Sequence, residues 1–214
     1  MRLRSCLLVL ALFIASACHK PARTEPKSAE TGLAAAATPT QAAPDPEAEF
    51  ADIRARIQPV VNARVPVALV DKLKFAPQFD AKSRVIALVP ESWVMGDTPG
   101  TLQPPPDAGL GAATSMAFGS GCDGRCKPKN WAESFDQVEV RRVPVQEIEL
   151  DEPIGTSGRV VVTRAGGVRY VIAGIWKPDS ARYFFCRATL EGAAIDALQA
   201  FVGACRAMDI RRWQ

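Results

Sequence analysis

The chain has 214 residues, 48% of them hydrophobic, and a formal charge of +3 from 26 Lys and Arg against 23 Asp and Glu. That balance supplies no basic excess to hold nucleic acid, and the length suits a single domain with a sizeable core. The single histidine is His19, so the rest of the chain has no imidazole for a Ser-His-Asp or Cys-His nucleophile or for a His-bearing zinc site.

The first element is an export signal. Arg2 and Arg4 precede an apolar run from Leu7 to Ile14, and Ala15, Ser16 and Ala17 lead into Cys18. A basic start, a short apolar run and a small-residue exit mark a secretory signal. The run is about half the roughly twenty residues that a spanning helix needs. With a cysteine directly after the small residues, the stretch resembles a bacterial lipoprotein signal, although Ala15 stands where that family more often has Leu. The resemblance implies cleavage after residue 17 and lipid, palmitate included, on the thiol and new amino group of Cys18. His19 replaces the Asp that favours retention in the inner membrane, so the resemblance implies an outer-membrane anchor in the cell envelope. Loss of residues 1–17 removes Arg2 and Arg4 and takes the formal charge to +1.

Residues 18–44 are rich in Ala, Pro, Thr, Glu and Lys and nearly free of large apolar side chains. Such a segment cannot bury enough surface to offset its ordering entropy and reads as a disordered tether. Residues 45–214 read as one domain. Asp45-Pro46-Glu47 opens a helix, with a capping carboxylate, a proline suited to the first turn and acid at the positive end. Phe50, Ile53, Ile57 and Val60 or Val61 recur at helical spacing, and Pro59 should end or kink that helix near Gln58. Residues 67–70 and 85–89 read as strands, the second turned by 90–93. Residues 96–111 contain Pro99, Pro104, Pro105 and Pro106 and read as a long, loose loop. A strand at 113–118, a short helix through Trp131 and Phe135, and strand segments at 138–143 and 145–150 follow.

The last third is the most regular. Strands at 159–164 and 168–176 flank Ala165-Gly166-Gly167, a hairpin turn in which adjacent glycines supply positive φ. A turn at 177–180 leads to a third strand, 182–190. After Gly192 comes a helix whose Ile195, Leu198, Val202 and Cys205 share an apolar stripe, widened by Phe201. The expected class is α+β: an antiparallel sheet with a C-terminal meander, covered by N- and C-terminal helices. The layout is loosely similar to the Mog1/PsbP-type αβα sandwich.

With Cys6 in the signal and Cys18 lipidated, Cys122, Cys126, Cys186 and Cys205 remain, and an even number in an exported chain reads as disulfides. Phe184, Cys186, Ala188 and Leu190 alternate onto one strand face, and Cys205 lies on the helix stripe that must cover it. A Cys186–Cys205 staple follows, leaving Cys122–Cys126 to pair across a glycine-rich turn. Basic neighbours around Cys126 also permit a redox thiol there, although the spacing departs from the thioredoxin motif. A four-cysteine zinc site lacks the paired spacing. Gly119, Gly121 and Gly124 spell GxGxxG, but in an antiparallel context that does not suit a dinucleotide site.

Glu147, Glu149, Asp151 and Glu152 form an acidic run, three of them on one side by alternation, and read as a solvated strand face. Trp93, Phe118 and Trp131 flank the irregular loops and form a candidate binding groove. The basic tail, Arg206, Arg211, Arg212 and Trp213, reads as frayed. No catalytic residue, metal site or cofactor is indicated. The leading expectation is a lipid-anchored, non-catalytic binding or assembly module with an envelope protein or glycan as partner. The alternatives are a thiol oxidoreductase using Cys122 and Cys126, and a carboxylate-dependent hydrolase of envelope polymers.

Overall fold

The computed structural model describes residues 50–98, 100–121, 131–177 and 182–208. The chain divides into two compact units, Met1–Gln41 and Ala42–Gln214, and every described residue belongs to the second. The export signal, Cys18, the tether, the turn holding Cys122 and Cys126, and the tail from Arg211 to Trp213 lie outside the described residues.

The first helix, α1, runs as a π segment, Ile53–Ile57, into an α segment, Gln58–Asn62. Pro59 has no N–H to donate, so the helix was expected to stop beside it. Instead the turn before it widens, and the Gln58 N–H reaches back to the Ile53 carbonyl. A π turn of this kind absorbs the misfit, and Val61 rather than Val60 faces the core. The expected strand at 67–70 is a 3-10 turn, Val67–Leu69, with only Leu69 buried.

Strands β1 (Phe75–Asp80) and β2 (Val85–Pro90) form an antiparallel hairpin. The first was hidden in the sequence by Pro77, which faces Leu88 on a two-stranded ribbon where a missing N–H is tolerated. Side chains of α1 hold its start: Asn62 accepts from the Phe75 N–H, and Gln58 and Asn62 both donate to the Phe75 carbonyl.

The main sheet has seven antiparallel strands in the order β3-β4-β5-β9-β8-β7-β6. They are β3 (Val94–Met95), β4 (Thr101–Gln103), β5 (Ser115–Gly121), β6 (Glu147–Ile154), β7 (Gly158–Ala165), β8 (Val168–Lys177) and β9 (Arg182–Glu191). Between β5 and β6 lies a helix, α2 (Trp131–Val138), followed by a 3-10 turn, Val140–Arg142. The strand expected at 138–143 is therefore the end of this helix and its exit turn. After β9 a 3-10 stretch, Gly192–Ala197, leads into α3 (Leu198–Arg206). The result is the α+β class read from the sequence.

Register aligns one core row straight across the sheet: Leu102, Met116, Ala188, Val171, Val162 and Leu150. Over this face lies α3, packed on β2, β7, β8 and β9 and backed by α1. Cys205 and Cys186 are both fully buried here and bonded, with S–S 2.04 Å and Cα atoms 5.2 Å apart. The staple between helix and strand is thus present as the alternation implied.

The Pro-rich stretch is not loose. It contains β4 and a 3-10 turn, Pro106–Ala108, and it buries Leu102 and Leu110. Thr114 ties its end to β9: the hydroxyl donates to the Leu110 carbonyl and accepts from the Glu191 N–H. At Gly111 the backbone has φ +101°, and a Cβ there would lie 2.6 Å from the Glu191 carbonyl oxygen. Only glycine permits that approach.

Candidate functional site

The second face of the sheet carries the site. Over β7 and β8 it is covered by α2, where Phe135 packs with Val161, Ile172 and Tyr183. The helix can settle so closely because Gly174 has no side chain; a Cβ there would lie 2.5 Å from the Phe135 ring. Arg159 holds the helix from the side, pairing with Asp136 on α2 and with Asp151 on β6. Its guanidinium also lies 5.9 Å from the centre of the Phe135 ring.

Farther across, β9 and β5 line an open cavity of about 480 Å³. Its floor follows from the sequence Ser-Met-Ala-Phe-Gly of β5. Alternation sends Met116 to the core face and puts small residues, Ser115, Ala117 and Gly119, on the cavity face. Register sets each opposite a larger β9 side chain: Ser115 faces Thr189, Ala117 faces Arg187 and Gly119 faces Phe185. Thr101 of β4 continues the Ala117 row. Lys82 and Ser83 from the hairpin turn, Thr98 before β4, and Val143 and Tyr170 also contribute to the wall. Among the described residues, Asp80 is the only carboxylate lining the cavity. It is occupied within its own turn, accepting from the Ser83 N–H and hydroxyl and from the Lys82 N–H.

At the boundary between the covered and open halves stand Arg187, Glu139 and Tyr183. Glu139, at the end of α2, is 2% exposed, and its carboxylate lies 3.1 Å from Arg187 Nε. The Arg187 guanidinium also lies over the Phe185 ring, 4.3 Å from its centre, a favourable cation–π distance. Burial pushes the Glu139 carboxyl above its ordinary value, and the nearby guanidinium offsets part of that rise. Burial and the Glu139 charge together push the Tyr183 phenol far up, so it remains protonated. None of the facing atoms, Glu139 Oε2, Arg187 Nε and the Tyr183 hydroxyl, forms a well-aligned hydrogen bond. Glu139 thus sets a negative charge beside the Arg187 guanidinium at the edge of the cavity.

The expected groove of Trp93, Phe118 and Trp131 does not form. Trp93 is buried on the core face, its ring 5.7 Å from that of Phe201. Trp131 packs on Phe135 at 6.3 Å, over the opposite face. Only Phe118 borders the cavity. The two tryptophans were grouped because both flank irregular loops, yet the sheet runs between them.

The acidic run is fully engaged. A bulge between Ile148 and Leu150 breaks the alternation that had put three acids on one side. Glu147 pairs with Arg164, Glu149 bridges Arg164 and Arg169, Asp151 pairs with Arg159, and Glu152 pairs with Arg206 of α3. These pairs close the sheet edge, and Arg206 belongs to them rather than to a frayed tail. Gly119 and Gly121 lie within β5 of an antiparallel sheet, and Gly124 lies outside the described residues. Among the described residues no cluster of three His, Cys, Asp or Glu side chains is arranged to hold a metal. No described helix is long and apolar enough to cross a membrane.

Sequence reasoning missed Arg187, Glu139 and the cavity floor. The signal was present in the alternation of β5, where every second residue is small while its neighbours are Met and Phe. Arg187 between Cys186 and Ala188 was equally visible as a charge on the strand face opposite the core.

No protein-family profile and no curated protein sequence matches this chain. Solved structures that align with this chain at low identity include two Mog1 structures. The Saccharomyces cerevisiae Ran-binding protein Mog1p has a TM-score of 0.44 and 10% identity over 64% of this chain and 96% of its own. A Mog1 point mutant has a TM-score of 0.38 and 12% identity over 62% of this chain and 86% of its own. Similarities this low carry no argument about fold, partner or activity.

Proposed function

We propose that this chain is a lipid-anchored envelope protein whose folded domain is a non-catalytic binding module, and that it takes its ligand in the cavity between β5, β9 and the hairpin turn. The anchor rests on the sequence leading to Cys18. The binding reading rests on one observation: about 480 Å³ of open space over a floor of Ser115, Ala117 and Gly119, walled by Arg187, Phe185 and hydroxyl side chains. A concave site of a few hundred Å³ with a few convergent polar groups is the usual form of a small-ligand or extended-ligand site. Among the described residues Glu147, Glu149 and Asp151 are engaged in ion pairs at the sheet edge, and Asp80 within its own turn.

The test is retention of an envelope component by the detergent-solubilised chain. Ala117→Trp fills the cavity from its floor without touching the core row. The wild-type chain should retain one component stoichiometrically, and Ala117→Trp, with an unchanged melting temperature, should lose it. Equal retention by both would place binding elsewhere.

A further inference from the structure

The cavity's own chemistry names a ligand class, an inference that rests on the binding reading above. Arg187 ends the row Thr101, Ala117 and Arg187, with small residues leaving space before it. Two neighbours lie against it: the Glu139 carboxylate, 3.1 Å from Nε, and the Phe185 ring, whose centre is 4.3 Å from the guanidinium. Its Nη groups have no acceptor among the described residues. A guanidinium held this way presents a planar pair of donors, which suits an oxyanion taken through two parallel hydrogen bonds. Lys82 adds a second positive charge to the lining. The hydroxyls of Thr101, Ser115 and Thr189 line the same space and make no hydrogen bond to another described residue, so they remain available to a hydroxyl-rich ligand.

We propose that the cavity binds a small hydroxylated anion, a sugar bearing a carboxylate or a phosphate, with the oxyanion on the Nη edge of Arg187 and the sugar hydroxyls on Thr101, Ser115 and Thr189. Both anion types offer the same pair of acceptor oxygens, and the experiment separates them.

Calorimetric titration of the full chain in detergent with glucuronate, glucose 6-phosphate and glucose tests this. At least one anion should bind, with glucose weaker by about ten-fold or more, the share expected of a charge-assisted pair. Which anion binds tells carboxylate from phosphate. Arg187→Lys keeps the charge and loses the planar fork, and should weaken the anion by about ten-fold at an unchanged melting temperature. If that variant does not fold, the comparison of anion with glucose on the wild-type chain decides alone. Glucose binding as well as the anions, undiminished binding in a folded Arg187→Lys, or no binding of either anion overturns the proposal. If neither anion binds while Ala117→Trp still abolishes retention of the envelope component, the ligand class falls and the binding reading stands.

Discussion

Replacing Gly174 by Ala tests how the open half of the sheet comes to be open. In a strand interior this exchange ordinarily stabilises by about 0.5–1 kcal/mol, because glycine loses more backbone freedom on folding. Here the new methyl would meet two Phe135 ring carbons at 2.5 and 2.6 Å and a Tyr183 ring carbon at 2.9 Å. Phe135 is 1% exposed and cannot swing aside without moving α2. Overpacking of this kind costs about 1–3 kcal/mol, so the net expectation is a loss of about 1–2 kcal/mol, the clash exceeding the backbone gain. For a domain of this size that lowers the melting temperature by roughly 2–8 °C. Gly167→Ala is the control, since nothing lies within 4 Å of a Cβ there, and it should stay within about 0.5 kcal/mol of wild type. Denaturant unfolding gives the energies, and hydrogen exchange should rise selectively over Trp131–Val138. A Gly174→Ala chain as stable as wild type, or more so, would show that α2 does not rest on the β7–β8 half as described, and the cavity boundary would have to be redrawn.

Three further outcomes follow from the same structure. Removing the staple with Cys186→Ala and Cys205→Ala frees a loop of sequence separation 19, which should cost about 3 kcal/mol in the chain-entropy model; because both sulfurs are fully buried, thiol alkylation of the native wild type under reductant should be slow and should follow global unfolding. Glu139 has a raised folded value, so its contribution to stability is present below the unfolded value near 4.5 and is lost as pH climbs through the folded one; unfolding measured from acid to neutral pH should therefore show Glu139→Gln gaining on wild type across that window, and the opposite trend would contradict the burial argument. Mass spectrometry of native material should find a lipid-modified amino terminus at Cys18, and an unmodified chain beginning at Met1 would remove the anchor.

What could be read from the sequence divides along physical lines. Strands β7, β8 and β9 and helix α3 were legible because alternation, paired glycines and a helical stripe are local signals, and the Cys186–Cys205 bond follows once both sulfurs are known to face one layer. Strand β1 was not legible, because Pro77 is acceptable only on a two-stranded ribbon, a fact of tertiary context. The helix end at 138–143 looked like a strand because Val138, Val140 and Val143 favour one, while Glu139 is drawn inward by Arg187, a partner 48 positions along the chain. Trp93 and Trp131 were grouped by sequence position and are separated by the sheet. The cavity escaped notice because it is made by absence of side chains: Ser115, Ala117 and Gly119 announce nothing singly and matter only opposite Thr189, Arg187 and Phe185.

The most direct measurement is hydrogen exchange on the full chain with and without the envelope component that the proposed function expects it to retain. Protection concentrated at residues 115–119 and 185–189 is the result expected of a ligand seated between β5 and β9. Protection confined to the β6 edge, or to the face covered by α3, would contradict the placement of the site.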